Sequence, residues 1–367
     1  MLRIAYYISD YGFGHATRSS AIIQGLIETL PRVEIVVCNS FAMPFLEQYF
    51  LDERVKFRHV STDLGYFLKE DSLEPDVDRL NREFDSYIEK WDKKVGEEVR
   101  FIQNEKVDMI ISDIVPTAFE AGKLAGVHSI GISNFTWYTA YEGLISEEKL
   151  APLKKAYDEM DTFLALAGEN EPLWGGEKYC FDFFSREIND QEVKRIREML
   201  NPDGEKTLIY FGLGMKITHD DLDQFAFWDD REVLFIVSSN THIEKENVYR
   251  IPPDYLDTHH FIAAADLAIS KAGWGSVSEA VIGNTPLLII DRQSMKEDRN
   301  TISFLKERNL CKTISWEELK GLRVEEMFIN EIKHQLCGVQ KNQLNEIIDK
   351  INELVQLHTI ANIRRQP

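Results

Sequence analysis

The sequence predicts two doubly wound α/β domains, and three observations lead there. The 367-residue chain is too long for one ordinary core and suits two domains of roughly 150–200 residues each. In the first half, short β-branched apolar runs alternate with segments of helical period, the mark of βαβ units around a parallel sheet. The same alternation begins again in the second half, after a polar stretch.

The elements follow in order. Apolar runs at Arg3–Ser9, Glu34–Asn39, Val55–Val60, Val107–Ser112 and His128–Ser133 read as strands, and Thr162–Leu166 and Tyr179–Phe183 as two more. Helical patterns lie between them at Ala21–Leu30, Met43–Phe50, a charged stretch from Asp76 to Asn104, and Thr117–Leu124. SREINDQEVKR and NPDGEK are polar and turn-rich, which places the boundary near Arg186 and gives domains over residues 1–186 and 187–340. Beyond it, Thr207–Phe211, Val233–Val237, Leu267–Ser270 and Pro286–Asp291 read as strands, with helices around Asp220–Phe227, Val277–Ile282 and Asn300–Glu307. In residues 341–367 the apolar stripe Leu344, Ile347, Ile348, Ile351, Leu354, Val355 is that of an amphipathic helix. A ligand cleft is expected between the two domains.

Composition narrows the function. Apolar residues make up 44% and charged residues 28% of the chain, as in globular proteins, and no run approaches the ~20 apolar residues that span a bilayer. The N-terminus has a strand pattern and no signal-peptide pattern, and the four cysteines (Cys38, Cys180, Cys311, Cys337) lack CxxC spacing. A cytoplasmic setting with reduced thiols is expected. The formal charge of −20 repels phosphate backbones and anionic lipids, so neither nucleic acid nor a membrane surface is an expected partner.

Two stretches carry chemistry. SDYGFGHATRSS, residues 9–20, follows the first strand, whose carboxyl end borders the ligand crevice of an open parallel sheet. Gly12 and Gly14 permit a sharp turn and close approach of a ligand. His15 suits a general base there. With strand order 3-2-1-4-5, IISDIVP ends the neighbouring strand and puts Asp113 beside His15, able to hold its tautomer. The bland alternatives are that Asp113 caps the helix after Pro116, or that His15 caps a carbonyl. The aromatic NFTWY at 134–138 fits either stacking on an acceptor or a packed loop.

The second stretch is FIAAADLAISKAGWGSVSEAVIGNTPLLIIDR, residues 261–292, read as strand, glycine-rich turn, short helix, glycine stop and buried strand. Gly273 and Gly275 open the turn, and Gly283 suits the left-handed position after the helix. Ser276 and Glu279 also fit a capping box. Lys271 reads as a diphosphate contact or a solvated strand-end charge. Asp220-Asp221 reads as a helix N-terminal charge pair rather than a metal site. His259-His260, without a spaced acid or cysteine, read as loop or nucleotide-adjacent residues rather than metal ligands.

This second block resembles the nucleotide-sugar signature of GT-B glycosyltransferases, notably the branch of the peptidoglycan N-acetylglucosaminyl transferase. That resemblance implies that Glu279 binds ribose hydroxyls and that the turn Ala272–Ser276, with Gly273, Gly275 and Ser276, lies against the diphosphate. In the following EDRNTISFLKERNL it implies that Asp298 and Asn300 contact the donor sugar. A glutamine common there is replaced by Arg299 or displaced to Gln293. YGFGHATRSS with SDIVPTAFEAGKLAGVHSIGISNFTW is similar to the glycosyltransferase-like domain of plant arabinokinases, whose base falls on His15 and whose orienting acid falls on Asp113. Gly212 and Gly214, after TLIYF, mirror the first loop as a phosphate-facing turn. The final helix resembles the GT-B tail that crosses back to the first domain.

The resemblance implies a glycosyltransferase with a nucleotide sugar, uridine by preference, as donor and an unidentified acceptor, and with no cofactor or metal. Two alternatives are a nucleotide-sugar hydrolase or epimerase of the same fold, and a protein that binds nucleotide sugars without turnover.

Overall fold

The computed structural model describes residues 1–70, 72–214, 222–292, 294–324, 332 and 340–365. The first sheet holds β1 (Leu2–Ile8), β2 (Val33–Asn39), β3 (Val55–His59), β4 (Met109–Asp113), β5 (His128–Ser133), β6 (Thr162–Ala165) and β7 (Glu177–Cys180). Their order is β3-β2-β1-β4-β5-β6-β7, with parallel pairing throughout. β1 and β4 are therefore neighbours, as the 3-2-1-4-5 order requires, and Ile8 pairs with Asp113. MIISD of β4 is buried at every residue, which is why it reads as an unbroken apolar run rather than an alternating one.

Helix α1 spans Phe13–Thr29, eight residues earlier than the apolar period from Ala21 predicts. Gly12, at φ 89°, makes the turn out of β1 and stands at the helix N-cap. The first turns were illegible because His15, Arg18, Ser19 and Ser20 break the apolar stripe. All four are nonetheless buried.

Other differences have similar causes. The charged stretch Asp76–Asn104 is two helices, α3 (Val77–Glu89) and α4 (Trp91–Asn104), after the short α2 (Met43–Tyr49). It is more than a solvated face. Leu80, Phe84, Trp91 and Ile102 are core, and the buried Glu98 pairs with Arg58 at 2.6 Å. Helices α5 (Pro116–Ala125), α6 (Trp137–Tyr141) and α7 (Glu147–Asp158) complete this part.

The second sheet holds β8 (Thr207–Gly212), β9 (Val233–Val237), β10 (Val248–Arg250), β11 (Leu267–Lys271), β12 (Leu287–Ile290) and β13 (Cys311–Ile314) in the order β10-β9-β8-β11-β12-β13, again parallel. β10 and β13 are too short for a period to reveal. The polar segment read as a linker contains α8 (Asp190–Leu200), capped by Asn189 and buried through Ile196 and Leu200. The predicted helix over Asp220–Phe227 is instead two 3-10 turns, Leu222–Gln224 and Ala226–Asp229, over its described part. Asp220, Asp221, Gln293 and Cys337 lie outside the described residues. Helices α9 (His259–Ala264), α10 (Trp274–Ile282), α11 (Lys296–Glu307) and α12 (Trp316–Lys320) flank this sheet.

The chain divides into two compact units, Met1–Phe67 with Pro75–Asp182 and Gln343–Pro367, and Leu68–Glu74 with Phe183–Asn342. In the second, Phe211, Phe227, Trp228 and Phe235 interlock as the core, which Leu73 joins. In the first, the C-terminal helix Leu344–Arg365 packs on α1. A Cβ at Gly25 would stand 1.9 Å from Ile348 Cδ1, and Asn352 donates to the Thr29 hydroxyl at 3.0 Å. Among the described residues no helix is long and apolar enough to cross a membrane.

Candidate functional site

Starting α1 at Phe13 puts His15 in its first turn and Arg18 one turn further on the same face. Both meet Asp113 at the end of β4. His15 Nδ1 stands 2.9 Å from Asp113 Oδ1. Arg18 grips the carboxylate with two donors, Nε to Oδ2 at 2.7 Å and Nη2 to Oδ1 at 2.5 Å. Its remaining donors reach the end of β5, with Nη2 to Ser133 Oγ at 2.9 Å and Nη1 to Asn134 Oδ1 at 3.0 Å. The Ser19 hydroxyl adds a long bond to Asp113 Oδ2 at 3.3 Å. His15 is 7% exposed and Asp113 2%. Burial alone would push the Asp113 carboxyl up, but Arg18 and then His15 outweigh it and hold it down at about 2.

The bland alternative for Asp113 does not describe it. Helix α5 has Val115 at its N-cap with no side-chain cap, so Asp113 does not cap it. The aromatic stretch is packing: Phe135, Trp137 and Tyr138 are buried, and Phe135 stands edge-on to the His15 ring with centroids 5.9 Å apart. Trp137 Nε1 donates to Asp63 Oδ2 at 2.7 Å, and the Asp10 amide donates to Asp63 Oδ1 at 2.9 Å. Asp10 in turn accepts from the Ser40, Phe41 and Thr62 amides. The loop that leads from β1 to His15 is thus held from beneath. Burial pushes the Asp63 carboxyl up to about 7 against the hydrogen bonds it accepts.

In the second unit, Gly212 ends β8 and Gly214 follows at φ 83°. A Cβ on Gly214 would lie 3.0 Å from Lys271 Cε, and one on Gly273 3.3 Å from the same atom. The two glycines therefore let the backbone close around the Lys271 side chain at the start of α10. A half-exposed cation beside a helix N-terminus is an arrangement suited to an anion. Gly275 and Ser276 lie in the first turn of α10, whose N-cap is Gly273, so Ser276 does not open a capping box. Glu279 pairs instead with Arg186, Nη2 to Oε1 at 2.9 Å, both nearly buried. Burial pushes the Glu279 carboxyl up while Arg186 pulls it down. Gly283 ends α10 with right-handed backbone, and the left-handed residue is Asn284 at φ 54°. What demands glycine at 283 is space, since a Cβ would meet the Glu279 carbonyl at 3.0 Å and Ala263 Cβ at 3.1 Å.

Asp298 lies in α11 and is buried against Arg292 at 2.6 Å, whereas Asn300, on the same helix, is half-buried. His259 and His260 are buried in the first turn of α9 rather than in a loop. His259 meets the Glu187 carbonyl at 2.9 Å, and His260 Nε2 accepts from the Asn189 amide at 3.1 Å. Among the described residues no group of three or more His, Cys, Asp or Glu is arranged to hold a metal ion. Sequence reasoning missed Arg18 and Arg186. The three-residue spacing of His15 and Arg18 would have flagged the first, had the helix start been recognised. Nothing local marks the second.

No protein-family model matches the chain. Over 326 residues, 83% of the chain and 30% of the relative, it is 26% identical to an L-arabinokinase of Arabidopsis thaliana, so it spans under a third of that protein's length. Among solved structures, UGT89C1 of Arabidopsis thaliana complexed with UDP superposes with a TM-score of 0.60 at 12% identity, over 95% of this chain and 99% of that one. The glycosyltransferase SnogD from Streptomyces nogalater gives 0.60 at 11% identity over 97% and 100%. The glycosyltransferase VinC in complex with dTDP gives 0.59 at 12% over 98% and 100%. At these identities the likeness is one of fold: the two parallel-sheet units are those of GT-B glycosyltransferases. The arabinokinase match supports the similarity first read at YGFGHATRSS.

Proposed function

We propose that the chain is a glycosyltransferase that moves a sugar from a nucleotide sugar, a uridine one, to an acceptor hydroxyl. The buried pair of His15 and Asp113, 2.9 Å apart at the carboxyl edge of the first sheet, carries this reading. His15 takes the acceptor proton as the hydroxyl oxygen attacks the anomeric carbon. The bond from that carbon to the diphosphate oxygen breaks, and the nucleoside diphosphate leaves with the electron pair. Its charge is assigned to Lys271 and the N–H groups at Gly214, Gly273 and the start of α10 rather than to a metal ion. Glu279 is assigned to the ribose, with Arg186 fixing its carboxylate, and Asn300 to the sugar, a hexose or N-acetylhexosamine. Asp298 orients this helix through Arg292.

A second reading, nucleotide-sugar binding without turnover, is favoured by the match to part of a protein named for a kinase. Thermal unfolding with UDP, GDP and dTDP, and with their sugars, tests both. Near 100 times Kd a single site adds about 2.7 kcal/mol to stability, and UDP is expected to give the clear shift. With His15→Ala the shift should persist while transfer to a screened acceptor disappears. A wild-type chain that binds but releases no nucleotide with any acceptor favours the second reading. Flat curves for all three nucleotides would sink both.

A further inference from the structure

We propose that the stacked rings of His128 and His358 form an acid-sensitive latch that holds the C-terminal helix on the first unit. Ile347, Ile351 and Leu354 of that helix are buried, and His358 continues their stripe one turn further on. Cover alone would favour another apolar side chain at that position. The helix instead places a half-buried imidazole there, face to face with the imidazole that opens β5. The ring centroids are 3.5 Å apart and the planes meet at 25°.

Two imidazoles stack readily when at most one is charged, whereas two positive rings at this spacing repel each other. The acids near His128 are engaged elsewhere. Asp161, just before β6, stands 3.6 Å from His128 Nδ1, beyond hydrogen-bond reach. The same oxygen of Asp161 accepts from the Ser129 amide at 2.9 Å and the Ser129 hydroxyl at 3.2 Å. Glu177 of β7 accepts from the Tyr179 hydroxyl at 2.7 Å, and Lys178 pairs with Glu169. From the helix, Lys350 lies over the Tyr179 ring and pairs with Glu353. His128 Nε2 meets the uncharged Thr162 hydroxyl at 3.3 Å. Burial pulls the His128 imidazole down to about 4 against the Asp161 carboxylate; the His358 ring adds to the burial and Glu177 to the acid. Docking therefore excludes a proton. Once the helix leaves, the His128 ring is open to water and binds that proton at its ordinary ~6.5. Docking is full above that pH and weakens as pH falls towards about 4. Asp63 and Glu171, buried acids pushed up to about 7, take their protons first in the folded state and act in the opposite sense. Release frees the face of α1 at Gly25 and Thr29, where Ile348 and Asn352 sit, and α1 carries His15 in its first turn.

Hydrogen exchange over residues 344–358 of the full chain, with each rate divided by the intrinsic rate at that pH, tests the latch. Exclusion of one proton gives an expected ~30-fold fall in protection between about pH 7.5 and about pH 5. Amides of β4 should keep their protection, since the sheet stays folded while the helix lifts. His128→Phe keeps a ring under His358 but removes the proton site, so its helix should stay protected at both pH values. His358→Ala uncovers His128 and should lower protection already at the higher pH. A wild-type helix indifferent to pH overturns the latch, as does a fall shared equally by β4. So does a His128→Phe variant that still shows the whole wild-type fall. Should that variant not fold, His358→Ala decides, and unchanged protection at the higher pH overturns the stack as the holding contact. No nucleotide or acceptor enters the experiment, so its failure leaves the transferase reading untouched, and failure of that reading leaves the latch intact.

Discussion

Asp113 joins three donors of different kinds, the His15 imidazole, the Arg18 guanidinium and the Ser19 hydroxyl. Removing its charge leaves Arg18 buried without its counter-ion, so Asp113→Asn should lower stability by about 3–5 kcal/mol in urea unfolding. The same residue predicts an acid limb. Its folded carboxyl is held at about 2, below the ordinary ~3.9 of an unfolded chain. The unfolded state therefore binds the proton first as pH falls. The contribution is fully present above pH ~4 and is lost as pH drops towards 2, amounting to about 2 kcal/mol. Stability of Asp113→Asn measured against pH should lack that limb. A limb that survives the substitution would assign it to another carboxylate.

Elements depend on single contacts in the same way. The C-terminal helix approaches α1 at Gly25, where the backbone leaves room for Ile348. Ile348 is 4% exposed, and Ile348→Ala should cost about 2–4 kcal/mol. Gly25→Ala improves helix propensity by up to about 1 kcal/mol but drives a methyl into Ile348, so a net loss of about 1–2 kcal/mol is expected. In the Ile348→Ala background the cavity accepts that methyl, and Gly25→Ala should then stabilise the chain. Additive losses in the double variant would mean that the two positions do not meet. The elements also show where periodicity fails as a guide. The stripe in the final helix was plain in the sequence because one face is apolar and the rest polar. The first turns of α1 were not, because their inward face is polar and satisfied by β4 and β5.

At the scale of the whole molecule, a chain of net charge −20 is proposed to bind an anion. Long-range repulsion and a local cation then act in opposite senses. Repulsion is screened over about 10 Å at 0.1 M salt, so the association rate of UDP should rise between low and physiological ionic strength. Lys271→Met should weaken equilibrium binding about 10-fold, as expected for losing about 1.4 kcal/mol of a charge-assisted contact. A rate that falls with salt would show that a local positive field governs capture. An unchanged affinity would take Lys271 out of the nucleotide seat.

Sequence alone determined the architecture of this protein. Short apolar runs separated by helices mark a parallel sheet, and burial on both faces makes those runs easy to see, whereas the strand order was assumed from the sequence and found in the structure. The His15–Asp113 neighbourhood was expected on that assumed order, which brings the ends of β1 and β4 together. The arginines at 18 and 186 were decided only by the tertiary structure. Each is the counter-charge of an acid far away in sequence, Asp113 and Glu279. No periodicity records such pairing, since it depends on three-dimensional proximity and on the need to neutralise a charge removed from water. Glu279 and Asp298 were legible as acids of a recognisable motif. That each is joined to an arginine is a property of the fold.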